Sequence, residues 1–267
     1  MEIVGYISSV IIGISLGLIG GGGSILTVPV LVYLFGVEPM IATAYSLFIV
    51  GTSSLVGTFP KYKQGLISIK TALVFGIPSI ISVFCTRKYI LPAIPNELIE
   101  LGDLMVTKSI LMMVLFAILM VAASISMICD KRASAVAPNE PKFNYIMLIF
   151  EGISVGVLGG LVGAGGGFII IPALVKLSKL PIKTAIGTSL LIIAANSLIG
   201  FVGDISTNSD NINWRLLIVV TSLSIGGIFV GNYLSKKADS SKLKKGFGWF
   251  VMVMGIYILI KELVLNS

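Results

Sequence analysis

Gly20-Gly21-Gly22-Gly23-Ser24 leads into an apolar run that reaches Pro29, and Gly163-Ala164-Gly165-Gly166-Gly167 leads into another that reaches Pro172. Sliding the second stretch back by 143 residues sets Gly156 on Gly13, Gly160 on Gly17, Gly165 on Gly22, Pro172 on Pro29 and Leu174 on Leu31. After a compensating one-residue slip near Pro39 and Pro181, the match resumes at Ala42/Ala185, Ser46/Ser189, Leu47/Leu190, Ser54/Ser197, Leu55/Leu198 and Gly57/Gly200. The chain is therefore a duplication. One half covers residues 1–130, a linker with Pro138 and Pro141 covers 131–142, and the second half covers 143–267.

A chain with 56% hydrophobic and 12% charged residues and a mean hydropathy of +1.04 is too apolar for a water-soluble globule. It reads as an all-α polytopic membrane protein. Apolar stretches near the roughly 20 residues that a bilayer span needs lie at Ile3–Ile19, Ile41–Phe59, Leu66–Phe84, Ser109–Cys129, Tyr145–Val162, Thr184–Val202, Trp214–Tyr233 and Gly246–Ile260. That makes about eight full spans. Two further runs, Ile25–Phe35 and Phe168–Leu177, follow the glycine breaks and are too short to span, so they are expected to be re-entrant half-helices lined by protein or water. Met1-Glu2 offers no basic leader and the first helix has a counterpart in the repeat, so it is not expected to be a cleaved signal.

Basic residues gather at Lys61/Lys63, Lys131/Arg132/Lys142, Lys176/Lys179/Lys183 and Lys236/Lys237/Lys242/Lys244/Lys245, which marks those loops as cytoplasmic in a cell membrane. If the short segments do not cross, four spans per half give a parallel repeat; if each is counted as a crossing, each half has five membrane segments. An odd number turns the second half over, so inverted repeats are expected, the plan of many secondary transporters. The loop after the third segment is basic in the first half and acidic, with Asp204 and Asp210, in the second. Both chain ends then lie outside. Arg87 and Lys88 stand against this orientation, because the same count puts them outside too. A net charge of +7 suits loops that face anionic lipid headgroups, and no nucleic-acid partner is expected. Cys85 and Cys129 fall at opposite faces, too far apart for a disulfide.

Consecutive glycines at the end of a span let backbone unwind and come close to a ligand. Their amides, beside the positive end of the following half-helix, suit an anion. Gly20, Gly21, Gly22, Gly23, Ser24, Gly163, Gly165, Gly166 and Gly167 are the candidate binding residues on this reading, facing one another near the midplane. Pro29 and Pro172 inside the short helices would free further backbone groups. The earlier glycines Gly13/Gly17 and Gly152/Gly156/Gly160 are spaced for close helix packing instead.

These paired stretches, with Ala42-Thr43-Ala44-Tyr45-Ser46-Leu47 and Ala185-Ile186-Gly187-Thr188-Ser189-Leu190, resemble the sulfite exporter TauE/SafE family of organosulfur anion permeases over nearly the whole chain. The second copy is closer to the family pattern, since Ala44 and Tyr45 stand in the first where Gly187 and Thr188 stand in the second. The resemblance implies transport of small anions such as sulfite, sulfoacetate, other sulfonates or carboxylates, coupled to an ion gradient.

From the residues themselves, Ser46 and Ser53 in one half and Thr188, Ser189 and Asn196 in the other are further candidates, since hydroxyls and amides donate to anion oxygens without burying a full charge. Each could equally bond between helices or back to its own helix. Glu151, within a span, is the candidate for a coupling proton, or else pairs with a loop lysine near the interface. An enzyme is not expected. Gly13-Ile14-Ser15-Leu16-Gly17 and Gly152-Ile153-Ser154-Val155-Gly156 match a nucleophile elbow only in letters, lying within apolar helices in a chain without histidine. No nucleotide loop is present in either glycine cluster. No cofactor or metal is expected. A passive anion channel and a non-transporting scaffold or accessory subunit remain as alternatives, and the sequence leaves a homo-oligomer open.

Overall fold

The computed structural model describes residues 2–95, 97–101, 104–129, 145–176, 178–206, 212–235 and 240–265. The inter-half linker at 131–142 lies outside the described residues.

The first half starts with α1 (Glu2–Ile19), then a tight 3-10 turn at Gly21–Leu26 that passes into α2 (Thr27–Tyr33). α3 (Pro39–Lys63) follows, and α4 (Ile69–Cys85) runs through one π turn at Thr86–Ile90 into a last short turn, α5 (Leu91–Ala93). A small antiparallel hairpin of β1 (Glu97–Leu101) and β2 (Leu104–Thr107) precedes α6 (Lys108–Cys129). The second half holds α7 (Tyr145–Val162), α8 (Gly167–Lys176), α9 (Ile182–Ile205), α10 (Trp214–Leu234) and α11 (Ser240–Ile260). Among the described residues, seven helices are long and apolar enough to cross a membrane, and α1 is an apolar helix just short of them. Among the described residues, the hairpin is the one departure from a purely helical expectation. Proline begins α3 at Pro39 and stands just before α9 at Pro181, where a missing amide hydrogen costs nothing.

α1 and α2 form a hairpin that returns to its starting end, called here the near end. The rings of Tyr6 and Phe35 meet edge-on at 5.3 Å, and a Cβ on Gly5 would touch the Phe35 ring. α3 thus sets out from the end where α1 began. α8 returns in the same way beside α7, the two sharing a core cluster that contains Leu148, Val155, Ile170 and Leu174. α7 itself begins at the far end, where Lys70 of α4 lies 5.5 Å over the Tyr145 ring and the Ser68 amide donates to Thr188 Oγ1 at 2.9 Å.

The halves interlock. α1 lies against α10 and α7 against α4, while α3 crosses α9 and α6 packs on α11. These contacts are backbone-deep. A Cβ on Gly13 would sit 2.0 Å from the Ser224 carbonyl oxygen, and one on Gly231 would sit 2.2 Å from that of Ile14. Gly152 and Gly156 meet the carbonyls of Phe75 and Ser79 in the same manner. The spaced glycines are therefore packing residues, replacing hydrophobic drive with close approach. α3 and α9 form the centre: 61% and 67% of their spans are buried, against 28% for Lys245–Leu263. Leu55, Phe59, Ile77, Ile81, Phe229 and Trp249 point outward, as suits helices solvated by lipid.

Candidate functional site

Both glycine breaks turn on a left-handed residue at the same place in the repeat, Gly20 at φ 77° and Gly163 at φ 72°. Side chains rarely adopt that region. Beyond this point the halves differ. The first break tightens into the 3-10 turn, with Ser24 Oγ donating back to the Gly21 carbonyl at 2.7 Å. The second takes two more left-handed residues, Gly165 at 62° and Gly166 at 71°, before α8 starts at Gly167.

The breaks press against each other at the core. A Cβ on Gly21 would lie 2.2 Å from the Gly167 carbonyl oxygen, and one on Gly167 would lie 2.8 Å from Gly21 Cα. α9 lines both: Ile186 and Ser189 lie beside Gly20, and Ser197 Oγ would sit 2.1 Å from a Cβ on Gly165. Gly22 borders Ile19 and Phe247, and Gly23 packs on the α1 backbone at Ile12 and Leu16.

The polar candidates divide by what already holds them. Thr188 accepts from the Ser68 amide at the far end, and Ser189 donates to the Ile186 carbonyl at 2.9 Å. Ser46, Ser53, Ser54 and Ser197 are fully buried, and their hydroxyls lack a hydrogen-bond partner. Asn196 Nδ2 donates to Ser79 Oγ at 2.7 Å, while its Oδ1 has no partner. Either orientation of the amide keeps the Ser79 bond, and the reversed one would set its NH2 where Oδ1 now stands without a partner. Glu151 stands apart, lining a groove of about 620 Å³ between α6, α7 and α8 with Met147, Phe150, Ser154 and Phe168.

A second polar group lies at the near end. Arg87, in the π turn, is 1% exposed, and its Nη1 donates at 3.0 Å both to Thr43 Oγ1 and to Asp204 Oδ2. It forms part of the wall of a cavity of about 240 Å³ with Tyr45, Lys108, Phe201 and Asp204, and with exposed Glu38 among its lining residues. The Tyr45 hydroxyl accepts from the Asn213 amide, and buried Lys108 donates to the carbonyls of Leu91 and Ile94. Arg87 is thus no loop charge of the kind that sets orientation, because its guanidinium is folded into the protein. The sequence reading missed it and its partners Thr43 and Asp204. The available signal was an arginine between Phe84-Cys85-Thr86 and Tyr89-Ile90-Leu91, in a stretch apolar enough to continue the span.

The model of the family described as Sulfite exporter TauE/SafE matches residues 6–258. A probable membrane transporter protein of Xylella fastidiosa is 29% identical over 259 residues, covering 93% of this chain and 91% of that protein. Probable membrane transporter protein YunE of Bacillus subtilis is 26% identical over 275 residues, covering 96% and 95%. A probable membrane transporter protein of Methanocaldococcus jannaschii is 36% identical over 122 residues, 42% of this chain and 43% of that one. No solved structure matches.

Proposed function

The chain belongs to the sulfite exporter TauE/SafE family, and from that premise we propose that it is a secondary transporter, driven by an ion gradient, for small organosulfur or carboxylate anions such as sulfite, sulfoacetate and other sulfonates. The observation that carries this is the meeting of the two glycine breaks, Gly21 on Gly167, with the fully buried and unpartnered Ser197 hydroxyl against Gly165. Backbone of this kind at membrane depth is tolerated where it serves a binding site.

The halves are read as inverted repeats. α1 starts at the near end and α7 at the far end, and each short segment carries the chain back before its third helix begins. Lys61 and Lys63 belong to the far end, so that end is assigned to the cytoplasm. Contact between the breaks closes the centre, which favours a carrier that alternates between two open states over a standing channel. Glu151 is the coupling candidate, and a single chain holds both halves of the pathway.

Flux of labelled sulfite, sulfoacetate and acetate into proteoliposomes, with and without an imposed proton gradient, tests the proposal. Saturable flux that responds to the gradient supports it. Flux that ignores every gradient at conductances far above carrier rates refutes it in favour of a channel. No flux from folded protein refutes it in favour of a scaffold.

A further inference from the structure

The near-end cavity is lined by a buried cation with three of its five N–H donors idle. Asp204 holds the Arg87 guanidinium through Nη1 alone, at 3.0 Å, and Nη1 also serves Thr43. Nε and Nη2 have no hydrogen-bond partner. Donors of a buried cation are costly to leave unpaired. The Nε–Nη2 edge is the one that grips a planar or pyramidal oxyanion through two parallel hydrogen bonds. The π turn that carries Arg87 is a widening of the helix, of a kind common at binding sites because it re-aims a side chain. Nη2 lies 2.7 Å from where a Cβ on Gly163 would be, so only glycine lets the guanidinium reach the second break. Arg87 thereby joins the cavity to the break.

We propose that Arg87 is an anion-binding residue, taking a small oxyanion on its Nε–Nη2 edge from the near-end cavity, and that Asp204 is its resident counter-ion, with which the anion competes. This rests on the transporter reading above and narrows its substrate class. Of the charges that line the cavity, Arg87 and Lys108 are buried, Asp204 is part-buried, and Glu38 is exposed to solvent that screens it. Two positive charges and one negative leave an excess of one, which a singly charged sulfonate, bisulfite or carboxylate neutralises. Lys108 adds positive field, with two of its three ammonium donors held by the carbonyls of Leu91 and Ile94.

The test is binding of methanesulfonate and acetate to the purified full chain, read by calorimetry and by anion-dependent melting. Asp204→Asn is expected to lower Kd at least fivefold and to gain more melting temperature from added methanesulfonate than the wild type does. Arg87→Lys, which keeps the charge and loses the edge, is expected to raise Kd at least tenfold. Arg87→Gln with Asp204→Asn removes both members of the ion pair together, so it keeps the fold accessible, and it is expected to show no saturable binding. A purely structural ion pair predicts instead that Asp204→Asn lowers the melting temperature by an amount that added anion does not change. That result, or a double variant binding within twofold of the wild type, overturns the proposal. Gradient-driven flux by a wild type whose binding ignores these substitutions sinks the Arg87 subsite and leaves the transporter standing. Arg87-dependent binding without flux does the reverse.

Discussion

Replacing Gly21 by alanine tests whether the contact between the two breaks is as tight as it looks. The added methyl would lie 2.2 Å from the Gly167 carbonyl oxygen and 2.3 Å from its carbon, about 1.2 Å inside the 3.4 Å at which ordinary contact begins. Both obstacles are backbone, so no rotamer change relieves them, and one break must move away from the other. Overpacking of a filled core costs about 1–3 kcal/mol. Gly21 is not in the left-handed region, so no conformational penalty adds to this, and the whole effect reports on the contact. Thermal unfolding of purified protein is expected to show that loss, and flux per folded molecule is expected to fall at least tenfold. Gly226→Ala in α10 is the matched control: nothing lies within 4 Å of its Cβ position, and a helical glycine gains about 0.5–1 kcal/mol on becoming alanine. If Gly21→Ala melts and transports like the wild type while the control behaves as stated, the breaks are not in contact and the central site is wrongly placed.

Further outcomes follow from single bonds. Asn196→Ala breaks the Nδ2–Ser79 bond between α9 and α4 and leaves the Ser79 hydroxyl buried, so stability should fall by about 1–3 kcal/mol, with Asn196→Ala and Ser79→Ala losses far from additive in a double-mutant cycle. Tyr45→Phe removes the acceptor for the Asn213 amide at the start of α10 and should cost about 0.5–1.5 kcal/mol by the same melting assay. Gly13→Leu would drive a side chain into the Ser224 carbonyl and should abolish folded yield, measured by size exclusion in detergent. Glu151→Gln is expected to remove the response of flux to a proton gradient while leaving anion-dependent stabilisation intact. An unchanged response would end Glu151's candidacy.

Helix number and the place of each break were legible because both depend on local composition. Runs of apolar residues, Pro39 and Pro181 before long helices, and clustered glycines all act within a few residues of themselves. The packing role of Gly13, Gly17, Gly152 and Gly156 was legible for the same reason, since a four-residue spacing lines one face of a helix. Side-chain partnership was not. Thr188 and Ser189 look alike in sequence, yet a loop amide 120 positions away claims the first and its own helix claims the second. Arg87 was read as a loop charge because hydropathy weighs a guanidinium the same whether it faces water or Asp204. Its partners stand 44 and 117 residues away, beyond the reach of any window along the chain.

The backbone-deep fit between α1 and α10, and between α7 and α4, bears on how such a chain could arise. Each pair takes one helix from either half, so the notches left by Gly13 and Gly17 are filled only by the other half's ridge. A single half has no partner of its own for those faces. On the duplication reading, a half expressed alone would need a second copy in the bilayer to cover them. The helices that pack most closely are these mixed pairs, so the units that hold the molecule together do not coincide with the two halves read in the sequence.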